Sequence, residues 1–152
     1  MAFVWLIPLG FSGVAVVCDL RRREIPDGIP ALLAALGLAA SLLGWTSLPW
    51  SHVLLGGLCG LAIGGLFFFA AGFGGGDVKL VAALGTWLGV WGLLQTLFWV
   101  ALAGMLLAFV AQARGKKEFA YAPALFAGLL VFLIWPTGLH QVVVWTQGIA
   151  GR

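Results

Sequence analysis

The sequence is poor in charge. Only 9% of its 152 residues are Asp, Glu, Lys or Arg, and only 5 are acids. A chain this short of polar groups cannot coat a water-soluble globule, which excludes a separate soluble domain. Cysteine is scarce as well. Cys18 and Cys59 lie in apolar runs without CxxC or CxxH spacing. They point to small buried hydrophobes, and neither a disulfide framework nor a zinc site is expected. No basic stretch precedes the N-terminal apolar run, so we expect a permanent span there instead of a cleaved signal peptide. The net charge of +3 lies almost wholly in two short loops. It reads as a topology signal, and no nucleic-acid partner is expected.

What is abundant is apolar. Hydrophobic residues make up 62% of the chain, and the mean hydropathy is +1.11. The lipid bilayer must be the solvent for most of this surface. A span takes about 20 residues, so the chain has room for about six. We therefore expect an all-α, polytopic membrane protein. It would be a bundle of about six transmembrane helices, forming one integral-membrane domain over residues 1–152.

Taken in order, the first span runs from Ala2 to Cys18 and ends at Asp19. The loop from Leu20 to Gly28 holds Arg21, Arg22 and Arg23, and Pro26, Gly28 and Pro30 break the chain before the second span, Ile29 to Trp45. A polar turn, Thr46 to Ser51, leads to the third span, His52 to Phe73. A glycine-rich stretch follows, then a short fourth span from Val78 to Trp91 and a fifth from Leu93 to Ala113. Arg114 to Glu118 is the second basic loop; Pro123 opens the sixth span, which ends at Trp135 or continues towards Trp145.

The basic residues Arg21, Arg22, Arg23, Lys79, Arg114, Lys116 and Lys117 fall on one side of this map. Trp5, Trp45, Trp50, Trp87, Trp91, Trp135 and Trp145 fall near the other, where an amphipathic ring settles at headgroup depth. Both signals give an N-terminus outside and a multi-pass membrane protein. Small residues recur every four positions at Gly56, Gly60 and Gly64, at Ala31, Ala35 and Ala39, and at Gly85 and Gly89. Such ridges let helices approach, and they are read here as bundle packing.

The acids are Asp19, Glu24, Asp27, Asp77 and Glu118. Glu24 and Glu118 sit among bases in loops. Asp19 ends the first span and Asp77 begins the fourth, so two crossings return the chain to the same side. A carboxylate at a span end is costly, which makes it a functional candidate. Two carboxyls close together cannot both ionise cheaply, so one keeps a proton while the other is charged. An aspartyl protease needs that pair: one member takes a proton from water, the other donates to the carbonyl oxygen. From the residues alone, the same acids also fit span ends that face water.

Two stretches add a family resemblance. Asp19-Leu20-Arg21-Arg22-Arg23-Glu24-Ile25-Pro26-Asp27 is similar to the first motif of the type IV prepilin peptidases, and Gly74-Gly75-Gly76-Asp77-Val78-Lys79-Leu80 resembles their GxGD signature. Phe119 to Leu125 is a weaker third match, and the likeness covers roughly Val14 to Gly128. The resemblance implies a membrane aspartyl protease with Asp19 and Asp77 as catalytic residues and no metal or other cofactor. Gly74 and Gly76 would shape the loop against substrate or a neighbouring helix, with Pro26 in the first motif. Lys79 matches a basic position of the motif; lipid binding, an influence on the carboxylate and topology all fit it.

Asp27 stands where the family usually has Asn, and Ala120 where Pro is common. Asp27 is not expected to be catalytic. The longer members carry a cysteine-bearing cytoplasmic segment and methylate the new N-terminus. This sequence resembles the short members, so the implication stops at peptidase activity.

The expected function is removal of the basic leader from a prepilin or pseudopilin at the cytoplasmic face. The alternative is a small transporter or proton-relay subunit using the same acids without hydrolysis, and a third reading is a structural pilus-assembly component. His52 and His140 fall towards the outer face and fit interfacial roles, and Tyr121 fits a headgroup anchor near the site. The oligomeric state is not legible here.

Overall fold

The computed structural model describes residues 2–71, 74–113 and 122–134. The second basic loop, Tyr121, His140 and the end of the sixth expected span lie outside the described residues. Within them the protein is all-helical. A 3-10 turn at Ala2–Trp5 leads into α1 (Leu6–Arg22), followed by α2 (Gly28–Leu42), α3 (Trp50–Ala71), α4 (Gly75–Ala113) and α5 (Ala122–Ile134). By length and composition Trp50–Ala70 suffices to cross a membrane, and so does Gly75–Leu107 when its 33 residues are counted as one stretch.

The helix ends follow local chemistry. α1 runs past Cys18 and takes Asp19 into its last turns, because Leu20, Arg21 and Arg22 are good helix formers. It stops at Arg23, whose left-handed backbone (φ 54°) returns an N–H to the Asp19 carbonyl at 2.8 Å. α2 stops at Leu42 rather than at Trp45. Gly44 there takes φ 70°; its N–H reaches Ser41 O, and Trp45 N–H reaches Ala40 O. These paired bonds satisfy carbonyls that the helix end would otherwise orphan.

Glycine contacts set the packing. An added Cβ on Gly56 would meet the Gly85 carbonyl and Gly89 Cα; one on Gly60 would meet Val81 and Ala82, and one on Gly64 would meet Val78. α3 and the first part of α4 therefore run antiparallel, nearly backbone to backbone, as the glycine ridge implied. The alanine ridge behaves differently. Ala31, Ala35 and Ala39 are exposed, and α2 packs through Pro30, Leu33, Gly37 and Ala40. Four-residue spacing marks a helix face without saying whether a neighbour covers it.

α4 is two helices in one. Gly89 sits at φ 65°, ψ −177°, a conformation open essentially to glycine alone. Beyond it, Gly92 lies against Phe132, Gly128 against Val100 and Thr96, and Gly104 against Ala124. Residues 75–88 thus lead away from Asp77, and residues 90–104 return towards the same end, where Ala122 begins α5. The reversal falls at Gly89, three positions before Gly92, the break expected between Trp91 and Leu93.

Trp87 also departs from expectation. It is 1% exposed, not at a lipid surface. Its indole N–H donates to Leu33 O at 2.8 Å, and Gly37 leaves the room for its ring. A buried indole needs a partner for its N–H, and a helix carbonyl supplies one. Trp45, Trp50 and Trp91 are exposed as expected. Outward-facing Leu54, Leu55, Leu58, Leu61, Phe98 and Met105 give the bundle an apolar exterior, which hydrocarbon tolerates and water does not.

Candidate active site

Asp77 is the third residue of α4, and Gly74 is that helix's N-cap. The first backbone N–H groups of a helix lack internal partners. Gly74 N–H donates to Asp77 Oδ2 at 3.2 Å, and Val78 N–H bonds back to Gly74 O at 3.2 Å. This is half of a capping box, with the acid at the helix end that favours negative charge. Capping accounts for Oδ2 alone. The residue is 7% exposed, and among the described residues Oδ1 has no hydrogen-bond partner. Oδ1 thus keeps acceptor capacity that the helix cap does not use, as the buried hydroxyls of Ser12, Thr46 and Thr96 also do.

Asp19 comes from the last turns of α1 and is half-buried. Its Oδ2 accepts a hydrogen bond at 3.3 Å from the N–H of Ala122, the first residue of α5. Pro123 follows in the first turn, where its missing N–H does no harm. Asp19 therefore caps a helix other than its own. Its carboxyl is near enough to act electrostatically on that of Asp77. Two helix N-termini, those of α4 and α5, converge with the two acids at one end of the bundle.

The loop between α1 and α2 closes over this end. Ile25 is buried against Gly76, where an added Cβ would stand 2.8 Å from Ile25 Cβ and 3.2 Å from its carbonyl oxygen. Gly76 is thus small because Ile25 needs the space. Gly74 would place a Cβ 3.2 Å from Asp77 Oδ2, whereas Gly75 has open space around it. Pro26 is exposed and accepts the Ile29 N–H at 3.0 Å, shaping the entry to α2. Lys79 Nζ lies 2.7 Å from Asp27 Oδ1. Glu24 is exposed, and His52 is exposed at the far end, near Gly89.

The structure thus brings Asp19, Asp77, Gly74, Gly76 and Lys79 to one end, with Pro26 at its rim. Sequence reasoning missed three contacts: Ala122 N–H on Asp19, Ile25 on Gly76, and Asp27 on Lys79. Pro123 could have signalled the first, since it marks a helix start with free N–H groups beside it. Among the described residues, no group of three or more His, Cys, Asp and Glu stands together as a metal set would.

An apolar helical bundle with two carboxyls at one end, one of them buried behind a glycine-rich turn, defines a helical membrane protein with an acidic site. The sequence model of the type IV leader peptidase family matches residues 6–109, and the chain belongs to that family. Its relatives include prepilin leader peptidase/N-methyltransferases. That of Neisseria gonorrhoeae is 34% identical over 122 residues, covering 75% of this chain and 42% of the relative. That of Pectobacterium carotovorum is 31% identical, covering 81% and 48%, and that of Bacillus subtilis 31%, covering 80% and 51%. The chain spans about half the length of these relatives. No solved structure matches it.

Proposed function

We propose that the protein is an integral-membrane aspartic endopeptidase that removes the basic leader from a type IV prepilin or pseudopilin at the cytoplasmic face of the inner membrane. In this reading the chain is one domain over residues 1–152 with about six spans and its N-terminus outside. Reversal at Gly89 supports that count, since it divides residues 75–113 into two antiparallel helices. One observation carries the catalytic reading. Asp77 Oδ1 is buried and unpartnered among the described residues, at the end it shares with Asp19.

The chemistry follows from a shared proton. The charged member of the pair accepts a proton from water, and the oxygen of that water attacks the scissile carbonyl. The protonated member donates to the carbonyl oxygen as negative charge develops there, giving a tetrahedral diol; the acid that took the water's proton then passes it to the amide nitrogen, the C–N bond breaks, and a diol hydroxyl returns its proton to the other acid. The helix N-termini of α4 and α5 each bond the Oδ2 of one acid and leave its Oδ1 out of the bond. A peptide carries a basic leader to the arginine-bearing loop side and lays its apolar helix in lipid beside the bundle. The proton-relay alternative asks for acids midway across, and these share one end.

The test is co-expression of the protein with a prepilin. Asp19→Asn and Asp77→Asn should each abolish leader removal while the protein still inserts. Normal processing by either variant rejects the dyad. Cysteine labelling from each side checks the orientation, and a reactive site near Ala2 on the cytoplasmic side rejects it.

A further inference from the structure

The Asp27–Lys79 ion pair is unexplained by the two-acid chemistry. Asp27 occupies the N-cap position of α2, yet its side chain makes no capping bond. Its carboxylate reaches instead to Lys79 on α4, at 2.7 Å. Lys79 and Gly76 are three positions apart, so they share the helix face that meets the loop. Gly76 receives Ile25 and Lys79 receives Asp27, with Asp77 between them in sequence. The other end of the loop is anchored where Arg23 N–H bonds Asp19 O at 2.8 Å.

We infer that Asp27 and Lys79 are a positioning pair for the proposed peptidase reaction, fastening the segment that follows Asp19 to the helix that carries Asp77 and so fixing the separation of the two carboxyls. This rests on the proposed function. Ile25 on Gly76 is an apolar contact without direction; the ion pair adds a second, polar tie between the same loop and helix. Neither residue touches the peptide in this role, so their loss lowers kcat and leaves KM alone.

The experiment is a charge swap, read with a synthetic peptide that has a basic leader, a glycine and an apolar segment. Asp27→Lys and Lys79→Asp should each lower kcat by up to about fivefold, the upper end for an ion pair whose two side chains are both exposed. The double variant D27K/K79D should recover to within about twofold of the parent, and Asp27→Asn, which still accepts a hydrogen bond from Lys79, should stay close to it. Thermal unfolding of each variant identifies any that fail to fold; Asp27→Asn against Asp27→Ser then supplies the milder comparison.

A second readout needs no activity. Spin labels at Glu24→Cys and Gly75→Cys, with Cys18 and Cys59 replaced by Ser, should give a narrow distance distribution in the parent and the swap and a broad one in D27K. Single losses that the swap does not restore would overturn the inference. So would a loss in KM alone, which would make Asp27 a reader of the leader's cations. Equal label distributions in parent and D27K would also overturn it. A parent protein that cuts no leader but shows the expected distances would reject the proposed function and leave the pair standing.

Discussion

Asp19 Oδ2 accepts the N–H of Ala122 at 3.3 Å, across 103 positions of sequence. That one bond ties the end of the first helix to the start of the last described one. It also separates two duties of Asp19: acceptor for a helix end, and member of an acid pair. Asn keeps the acceptor and loses the acid, whereas Ala loses both.

Asp19→Asn should therefore unfold close to the parent in detergent. Asp19→Ala should be less stable by about 1–3 kcal/mol, the cost of leaving a buried donor unpaired. Both should be inactive on a leader peptide, with rates down at least about a hundredfold, as expected on losing an acid–base group. Equal stability of the two variants would show that the Ala122 bond contributes nothing.

Gly76 and Gly75 are neighbours with opposite expectations. Gly76→Ala would press a Cβ to 2.8 Å from Ile25 Cβ, and should cost about 1–3 kcal/mol with a loss of cleavage. Gly75→Ala meets nothing within 4 Å and should be neutral or stabilising by up to about 1 kcal/mol. Denaturant titration of the pair decides.

The α3–α4 contact gives a matched pair too. Gly60→Ala would set a Cβ 2.7 Å from Val81 O, against backbone that cannot turn aside. It should destabilise by about 1–3 kcal/mol. Gly65→Ala, with open space, should not.

Gly89→Ala should also destabilise by about 1–3 kcal/mol, because its backbone angles suit glycine alone. Trp87→Phe keeps most of the ring and removes the N–H donated to Leu33 O. It should cost about 0.6–2 kcal/mol, the range for hydrogen bonds between membrane helices. Thermal unfolding measures both.

Much of this was legible in the sequence. The shared side of Asp19 and Asp77 followed from counting crossings. The packing of Gly56, Gly60 and Gly64 followed from spacing, because three glycines in register leave a groove that only backbone can fill. Other features depend on partners far along the chain. Ala31, Ala35 and Ala39 have the same spacing as the glycines but face outward. Trp87 sits at a span end by count, yet Gly37 opens a place for it inside. Gly89 and Gly92 look alike in an apolar run, and only backbone angles tell which one turns. The ion pair of Asp27 and Lys79 joins two motifs that a linear reading treats separately.

Gly64 lies level with Val78, and α3 continues to Ala71. At 1.5 Å per residue the helix outruns Asp77 by roughly 10 Å. Leu66 and Phe69, the latter 86% exposed, line that extension. The acidic end of the molecule is accordingly uneven: a greasy parapet stands over one flank of the buried carboxyl.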